Sequence, residues 1–592
     1  MSDKLTGTDR KRLFFIVAAI ACLAAFVALN SLPSHRTLRV VNGTSEPITV
    51  LVDDQTVVVP AQSFQAITVV EGSHEYRVSE PPSVATSGNF LMQTNWLTRL
   101  SRTPVFVLDP TLSAIVHWQE ASYRLDAEDS AIDERFLLGR SYLFFPDVDL
   151  AFEELPTNVP LNKTGPTKRT RVSMLKGEPQ DLAASISGFA SPDEQVAYLE
   201  RHLTLTPRNK DLLRSYQTHV SRAQSYDRAY EFLKPGLDRR PIEIGWHRYF
   251  QSVSQRQNKI EELVARYSKL ADELPQDSAA LFLRGRIDPS NNVAREFLER
   301  SIAADASNPF PLYTMCHLLR SRGRFADAKV VAEKALLLDP ENQEMDELLF
   351  QVRVSLGEYD ALSQELTLKL VEKPQSFQLH FARLIVLAKQ GKLAEMKSEQ
   401  DSFALRFKKE WPLDPFDLVP GSDRFVAYVE GRYERMLILS QEFKDRRVRD
   451  MLVFESLIEL GRWESLDRSQ FAEQPTQRGY QKLYLVLGWE QAGNAEKSKE
   501  WFDQAMKDFA SGDLETKLLA EAFAQNDSAQ LLERLDRISL QSDERILVAL
   551  VAASRTTGEA RETLISWAEE LNVLPQFPQQ FVKRTIAFLR AK

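Results

Sequence analysis

Residues 309–340 read PFPLYTMCHLLRSRGRFADAKVVAEKALLLDP, and this stretch decides the fold. Its centre, Gly323 followed by Phe325 and Ala328, returns down the chain. It reappears as Gly357 with Tyr359 and Leu362, Gly391 with Leu393 and Met396, Gly431 with Tyr433 and Met436, and Gly461 with Trp463 and Leu466. Looser copies open at Gly493 and Gly558. The first three glycines stand 34 residues apart, and so do Pro207, Pro241, Pro275 and Pro309, and again Pro340 and Pro374. Two rulers of one length mark a stack of paired helices.

The residue types explain the recurrence. Glycine takes positive φ without a Cβ clash, so it closes one helix and lets the chain reverse. The aromatic two positions on fills the gap at the turn, and the small residue three further lets the helices approach. Proline then ends the second helix, having no N–H and restricting the residue before it. The pattern resembles the tetratricopeptide repeat, with Gly323, Phe325, Ala328, Ala332, Ala335 and Pro340 in that family's order. Tyr226, Ala229, Leu233 and Gly236 repeat part of it, as do Trp489, Gly493, Phe502 and Ala505. Leu362 and Leu366 depart from the small residues, and the first-helix Trp-x-x-Leu-Gly signature is largely absent. Turns placed at Gln224, Asn258, Asn291 and Asn526 complete the ladder. The resemblance implies an all-α superhelical solenoid over residues 177–592, about two-thirds of the chain.

At the other end, Leu13 to Leu29 is an apolar run without charge, preceded by Lys4, Arg10, Lys11 and Arg12. As a helix it spans about 25 Å at ~1.5 Å per residue, enough to cross a slightly thinned bilayer. The basic flank predicts residues 1–12 in the cytoplasm, a single transmembrane helix at 13–29, and the remainder across the membrane. A cleaved signal peptide competes, but no A-x-A site follows the run. Cys22 lies in a poor lipoprotein context and reads as a membrane-embedded residue.

Between Thr37 and Val78 the apolar period shortens to two, as in Ile48, Val50, Val52 and Val57, Val59. Turn signals at Asn42-Gly43, Asp53-Asp54 and Gly72 separate the runs, which predicts a small antiparallel β domain over residues 37–145. Further strands are expected at 105–108 and 114–125. Residues 37–80 loosely resemble β domains of the PEGA type. Residues 146–176 hold Pro146, Pro156, Pro160 and Pro166 with a basic cluster at Lys168, Arg169 and Arg171, and predict an irregular connector.

A net charge of −9 and a pI near 5.7 argue against nucleic-acid binding, which needs a basic stripe. Two cysteines, Cys22 and Cys316, give no disulfide framework. The eight histidines show no metal-ligand spacing, and no P-loop, Gly-x-Ser-x-Gly, His-Glu-x-x-His or Cys-x-x-Cys motif is present. No catalytic residue, cofactor or metal is therefore expected. Binding is expected instead, along the face lined by first helices. Arg214 and Arg248 are 34 residues apart, as are Arg222 and Arg256, while Tyr313, His317 and Arg320 should share that face farther along. Together they suggest a basic, aromatic groove for an acidic or C-terminal peptide; the plainer reading, which the sequence favours, is that these arginines are solvated or pair with neighbouring glutamates. The residues of the peptide-carboxylate clamp found in chaperone-binding members of the family are not recognisable. Two functions are expected: a bacterial-type, membrane-anchored scaffold holding proteins on the extracytoplasmic (periplasmic) side, in envelope assembly or export; or an accessory subunit binding an enzyme or glycan through the β domain, with the repeats as a stalk.

Overall fold

The computed structural model describes residues 35–94, 103–123, 131–154, 167–257, 259–399, 431–441, 446–469, 475–512, 514–525, 527–538, 540, 542–572 and 579–592. The expected segments 1–12 and 13–29 lie outside the described residues, as do the expected turns at Asn258 and Asn526. Among the described residues no helix is long and apolar enough to cross a membrane. The chain divides into two compact units, one running to Val253 and the other from Ser254.

The first unit opens with strands β1 (His35–Asn42), β2 (Ile48–Val52), β3 (Gln55–Val59), β4 (Ser63–Val70), β5 (Gly72–Glu80) and β6 (Thr86–Met92). There follow β7 (Val105–Leu108), β8 (Val116–Tyr123), β9 (Ala131–Leu137), β10 (Tyr142–Phe145), β11 (Leu150–Ala151) and β12 (Thr167–Met174). They form three four-stranded sheets, ordered β10-β7-β1-β4, β3-β2-β5-β6 and β11-β12-β8-β9. Pleating sends alternate residues to opposite faces. Thus Val50, Val52, Val57 and Val59 bury, while Leu51 and Val58 face outward. The turn expected at Asp53-Asp54 joins β2 to β3, with Asp53 at φ 48°.

The expected antiparallel β domain is present with two parallel pairings inside it, and the expected connector needs correction. Most strand pairs are antiparallel, but β1 pairs with β7 in parallel, and β11 with β12. β1 and β7 are separated by β2 to β6, so hairpin logic could not predict their pairing. The stretch 146–176 is not simply an irregular connector either: it carries β11 and β12, and β12 runs antiparallel to β8 from Thr167 opposite Tyr123 to Met174 opposite Val116. Val172 and Met174 bury in the core beside Val41, Val105 and Val116, while Lys168, Arg169 and Arg171 mask that alternation in the sequence.

Helices α1 (Pro179–Ser185), α2 (Pro192–Leu205), α3 (Lys210–Ala223), α4 (Tyr226–Leu233) and α5 (Ile244–Arg256) follow, the last running across the division. Ser191 and Glu194 form a reciprocal capping box at the start of α2. The helical part before Val253 is tied to loops between the strands rather than standing apart. Gln62 Nε2 donates to Gly177 O at 3.0 Å, and Arg201 Nη1 donates to Leu112 O at 2.9 Å.

The second unit is built from helix pairs: α6 (Ile260–Glu273), α7 (Ser278–Ile287), α8 (Asn291–Ala304), α9 (Phe310–Ser321), α10 (Phe325–Leu338), α11 (Gln343–Ser355), α12 (Tyr359–Glu372) and α13 (Phe377–Lys389). After the undescribed stretch come α14 (Tyr433–Ser440), α15 (Arg446–Leu460), α16 (Trp463–Asp467), α17 (Pro475–Gln491), α18 (Ala495–Ala510), α19 (Leu514–Phe523), α20 (Ser528–Arg537), α21 (Ser542–Ser554), α22 (Gly558–Leu571) and α23 (Gln579–Ala591). This is the tetratricopeptide-like helical-hairpin arrangement that the sequence period implied. All seven ladder glycines adopt left-handed φ, from 63° at Gly558 to 73° at Gly357 and Gly493. Gln224 does the same at 55°. Asn291, by contrast, begins α8. The reversal lies just before it, where Ser290 N donates to Asp288 Oδ1 at 2.7 Å. Ala328, Ala332 and Ala335 are fully buried on α10, and the larger Leu362 and Leu366 bury at the matching positions of α12.

Candidate interaction surface

The seven groove residues divide between the units, so each unit is considered by itself. Arg214 and Arg222 lie on α3 and are exposed, and neither side chain has a hydrogen-bond or ion-pair partner among the described residues. Their helix is held by its opposite side, where Leu212, Tyr216 and Val220 are fully buried. Arg248, on α5, is half-buried. These three are the residues of the set that fall in the first unit.

The remaining four belong to the second unit. Arg256 is exposed near the C-terminal end of α5. On α9, Tyr313 Oη donates to Asp339 Oδ2 at 2.5 Å, which ties that helix to the end of α10. His317 is exposed. Arg320 is half-buried, and burial pulls its guanidinium below the ordinary arginine range, with Cys316 and Asp543 opposing that fall. Its Nε is buried without an acceptor. The three α9 residues share a helix, but Asp543 of α21 lies near Arg320, so part of their face already meets the chain's own later helices.

That meeting is extensive. Ser290 bridges Ile538. Asn291 Nδ2 donates to Ile538 O at 2.8 Å, and Arg322 Nη2 to Asp536 O at 2.7 Å. Arg545 Nη2 donates to Asp536 Oδ1 at 3.1 Å, and Arg545 Cζ lies 3.9 Å from the centroid of the Trp567 ring. Farther along, α23 packs against α15, α17 and α21. Glu459 accepts from the first amides of α23, Phe581 N at 2.8 Å and Gln580 N at 3.3 Å. Arg584 Nη1 returns a bond to Glu459 O at 2.8 Å. A helix N-terminus leaves such amides unsatisfied, and a carboxylate there also meets the positive end of the dipole.

The strongly shifted groups serve this architecture. Burial pushes Asp109 up to about 7, although Ala114 N and Ser113 N donate to its carboxylate. Burial pulls His202 down to about 4, and its Nε2 faces Ser113 O at 3.1 Å. Burial, then Glu459, pushes Glu455 up to about 7. None of these residues stood out in the sequence. The one available signal was a pair of glutamates one turn apart, Glu455 and Glu459, in the otherwise largely apolar second half of their helix. Among the described residues no group of three or more His, Cys, Asp or Glu side chains is placed to hold a metal.

No family model matches the chain, and no curated protein matches it. The likeness to PEGA-type domains therefore gains no support. Similar solved structures include the crystal structure of the APC/C hetero-tetramer Cut9–Hcn1, at 13% identity over 69% of this chain and 89% of that one, with a TM-score of 0.26. The structure of Naa15/Naa10 bound to HypK-THB is similar at 12% identity over 62% of this chain and 58% of that one, with a TM-score of 0.23. At such scores neither superposition carries an argument; the repeat architecture rests on the chain's own glycine turns and helix pairs.

Proposed function

We propose that the chain is a membrane-tethered scaffold whose helical repeats hold other proteins on the extracytoplasmic side, in envelope assembly or export. The observation that carries the binding half is the pair Arg214 and Arg222, exposed on α3 with no carboxylate of the described chain to neutralise them. Unpaired guanidinium groups on a rigid helix suit acidic peptide, since a charge-assisted bond there costs no existing partner. The tether half rests on the sequence of residues 13–29 and the basic residues before them. A binding role rather than catalysis fits the use made of the shifted groups: Asp109 holds a loop, His202 meets a carbonyl, and Glu459 caps a helix.

The test is proximity labelling from each side of the membrane with the full chain and with an Arg214→Glu, Arg222→Glu double variant. The variant is expected to lose neighbours that the parent labels on the extracytoplasmic side. An unchanged neighbour set overturns the binding surface, and labelling of residues beyond 35 by a cytosolic reagent overturns the compartment.

A further inference from the structure

The basic cluster at Lys168, Arg169 and Arg171 lies on β12, an inner strand of the sheet β11-β12-β8-β9. Its three cations are not equivalent. Lys168 Nζ meets Glu120 Oε1 at 2.5 Å, and Arg169 Nη1 meets Asp149 Oδ1 at 3.0 Å. Arg171 has no carboxylate partner among the described residues. Its one bond is a long one, Nη1 to Gln119 Oε1 at 3.4 Å, and its Nε is buried with no acceptor. A buried ionic donor without an acceptor costs stability unless something fills the place.

The strand register shows what surrounds it. Gln119 stands directly opposite both Arg171 and Glu134, so Glu134, Gln119 and Arg171 form one row across three strands. The next row on the same face is Phe136, His117 and Ser173. Glu134 is already committed, its Oε2 lying 3.0 Å from His117 Nε2. The His117 ring stacks on Phe136 at 4.4 Å, and Phe136 packs against Phe189 at 4.6 Å. Phe189 keeps 55% of its surface exposed. Glu134 makes its contact with His117, and among the described residues it forms no ion pair with Arg171.

From this arrangement we infer that Arg171 is the anchor of a binding site for an organic carboxylate, with Gln119 beside the head group. The guanidinium fork fits a carboxylate in two parallel bonds, and only the long contact from Nη1 to Gln119 competes for its outer donors. Burial holds His117 below the ordinary imidazole range, with Arg171 adding to the fall and Glu134 opposing it. Near neutral pH the histidine is thus uncharged, and with Arg169 paired to Asp149 this leaves Arg171 as the cation of this face without a carboxylate partner among the described residues. The site lies within the first unit and does not depend on the α3 surface.

The experiment is calorimetric titration of the full chain with D-glucuronate and, separately, with N-acetylglutamate, each against sodium chloride at matched ionic strength. Saturable binding of either is expected, weakened at least about tenfold in Arg171→Gln. Arg169→Gln, whose parent side chain is already paired, should bind like the unaltered chain. Arg171→Lys keeps the charge but loses the fork; it too should weaken binding, and its thermal midpoint shows that the sheet stays folded. Glucuronate alone would place the ligand among sugar acids, and N-acetylglutamate alone among peptide acids; either supports the site. Equal affinity in Arg171→Gln, no saturable binding of either probe, or full displacement by chloride overturns it.

Discussion

A single backbone angle governs each turn of the ladder. At Gly357 φ is 73° and nothing lies within 4 Å of where a Cβ would stand. At Gly323 φ is 72°, but the added atom would come 3.3 Å from Glu570 Cβ. Gly357→Ala should therefore cost only the left-handed penalty, about 1–2 kcal/mol, whereas Gly323→Ala adds crowding and should cost more. Hydrogen exchange of amides in the flanking helices measures both, and equal losses would show that the Glu570 contact is soft. These glycines were legible in the sequence because positive φ is a local demand that one residue type meets. Arg171 was legible only as a member of a basic cluster. Its neighbours' partners, Glu120 and Asp149, stand 48 and 20 residues away, and no local pattern reveals which cation they leave alone.

Elements were readable where one period ran unbroken. β2, β3 and β7 lie where apolar alternation placed them, and the second helices α10 and α12 end two residues before Pro340 and Pro374. β12 was hidden because its outward positions are basic, and α23 gave no hint of where it docks. That docking carries a pH dependence. Glu455, four residues before the capping Glu459 on α15, is pushed from 4.5 up to about 7, by burial first and then by Glu459; Tyr433 and Tyr484 are the other titratable neighbours. The folded chain thus holds a proton that the unfolded chain has already released above 4.5. Stability should fall as pH rises from about 4.5 to about 7 and then level off. Glu459 is raised too, chiefly by its own burial, and adds a fall of the same sign, so Glu455→Gln should lessen the fall and stabilise the second unit near pH 7.5 by about 1–2 kcal/mol, a figure lowered for the side chain's partial exposure. Thermal midpoints across this pH range check it; a parallel fall in both proteins would assign the dependence to another group.

Over the whole molecule, long-range bonds decide how much of the repeat surface remains open. A periodic sequence implies that each repeat touches its neighbours, so a partner groove should run the length of the stack. In the second unit that logic is overridden by bonds such as Asn291 to Ile538, which span 247 positions and have no signature in the period. Asp536 is the common acceptor, taking bonds from Asn291 and Arg322 through its carbonyl oxygen and from Arg322 and Arg545 through its carboxylate. Arg545 is nearly fully buried, so removing the carboxylate strands its charge, the costly way to break such a pair. Asp536→Ala should lose about 3 kcal/mol of local stability. Amide exchange should quicken in α9, α20 and α21, where these contacts converge, and remain unchanged in α2 and α3 of the first unit. Faster exchange in both units would mean that the variant unfolds the chain generally; no change in α9 would mean that the 536–545 contacts do not hold that helix. Only the expected pattern is consistent with a repeat stack that has closed part of its own inner face, which is why the exposed arginines of α3, rather than Arg320 of α9, are the better place to seek a partner.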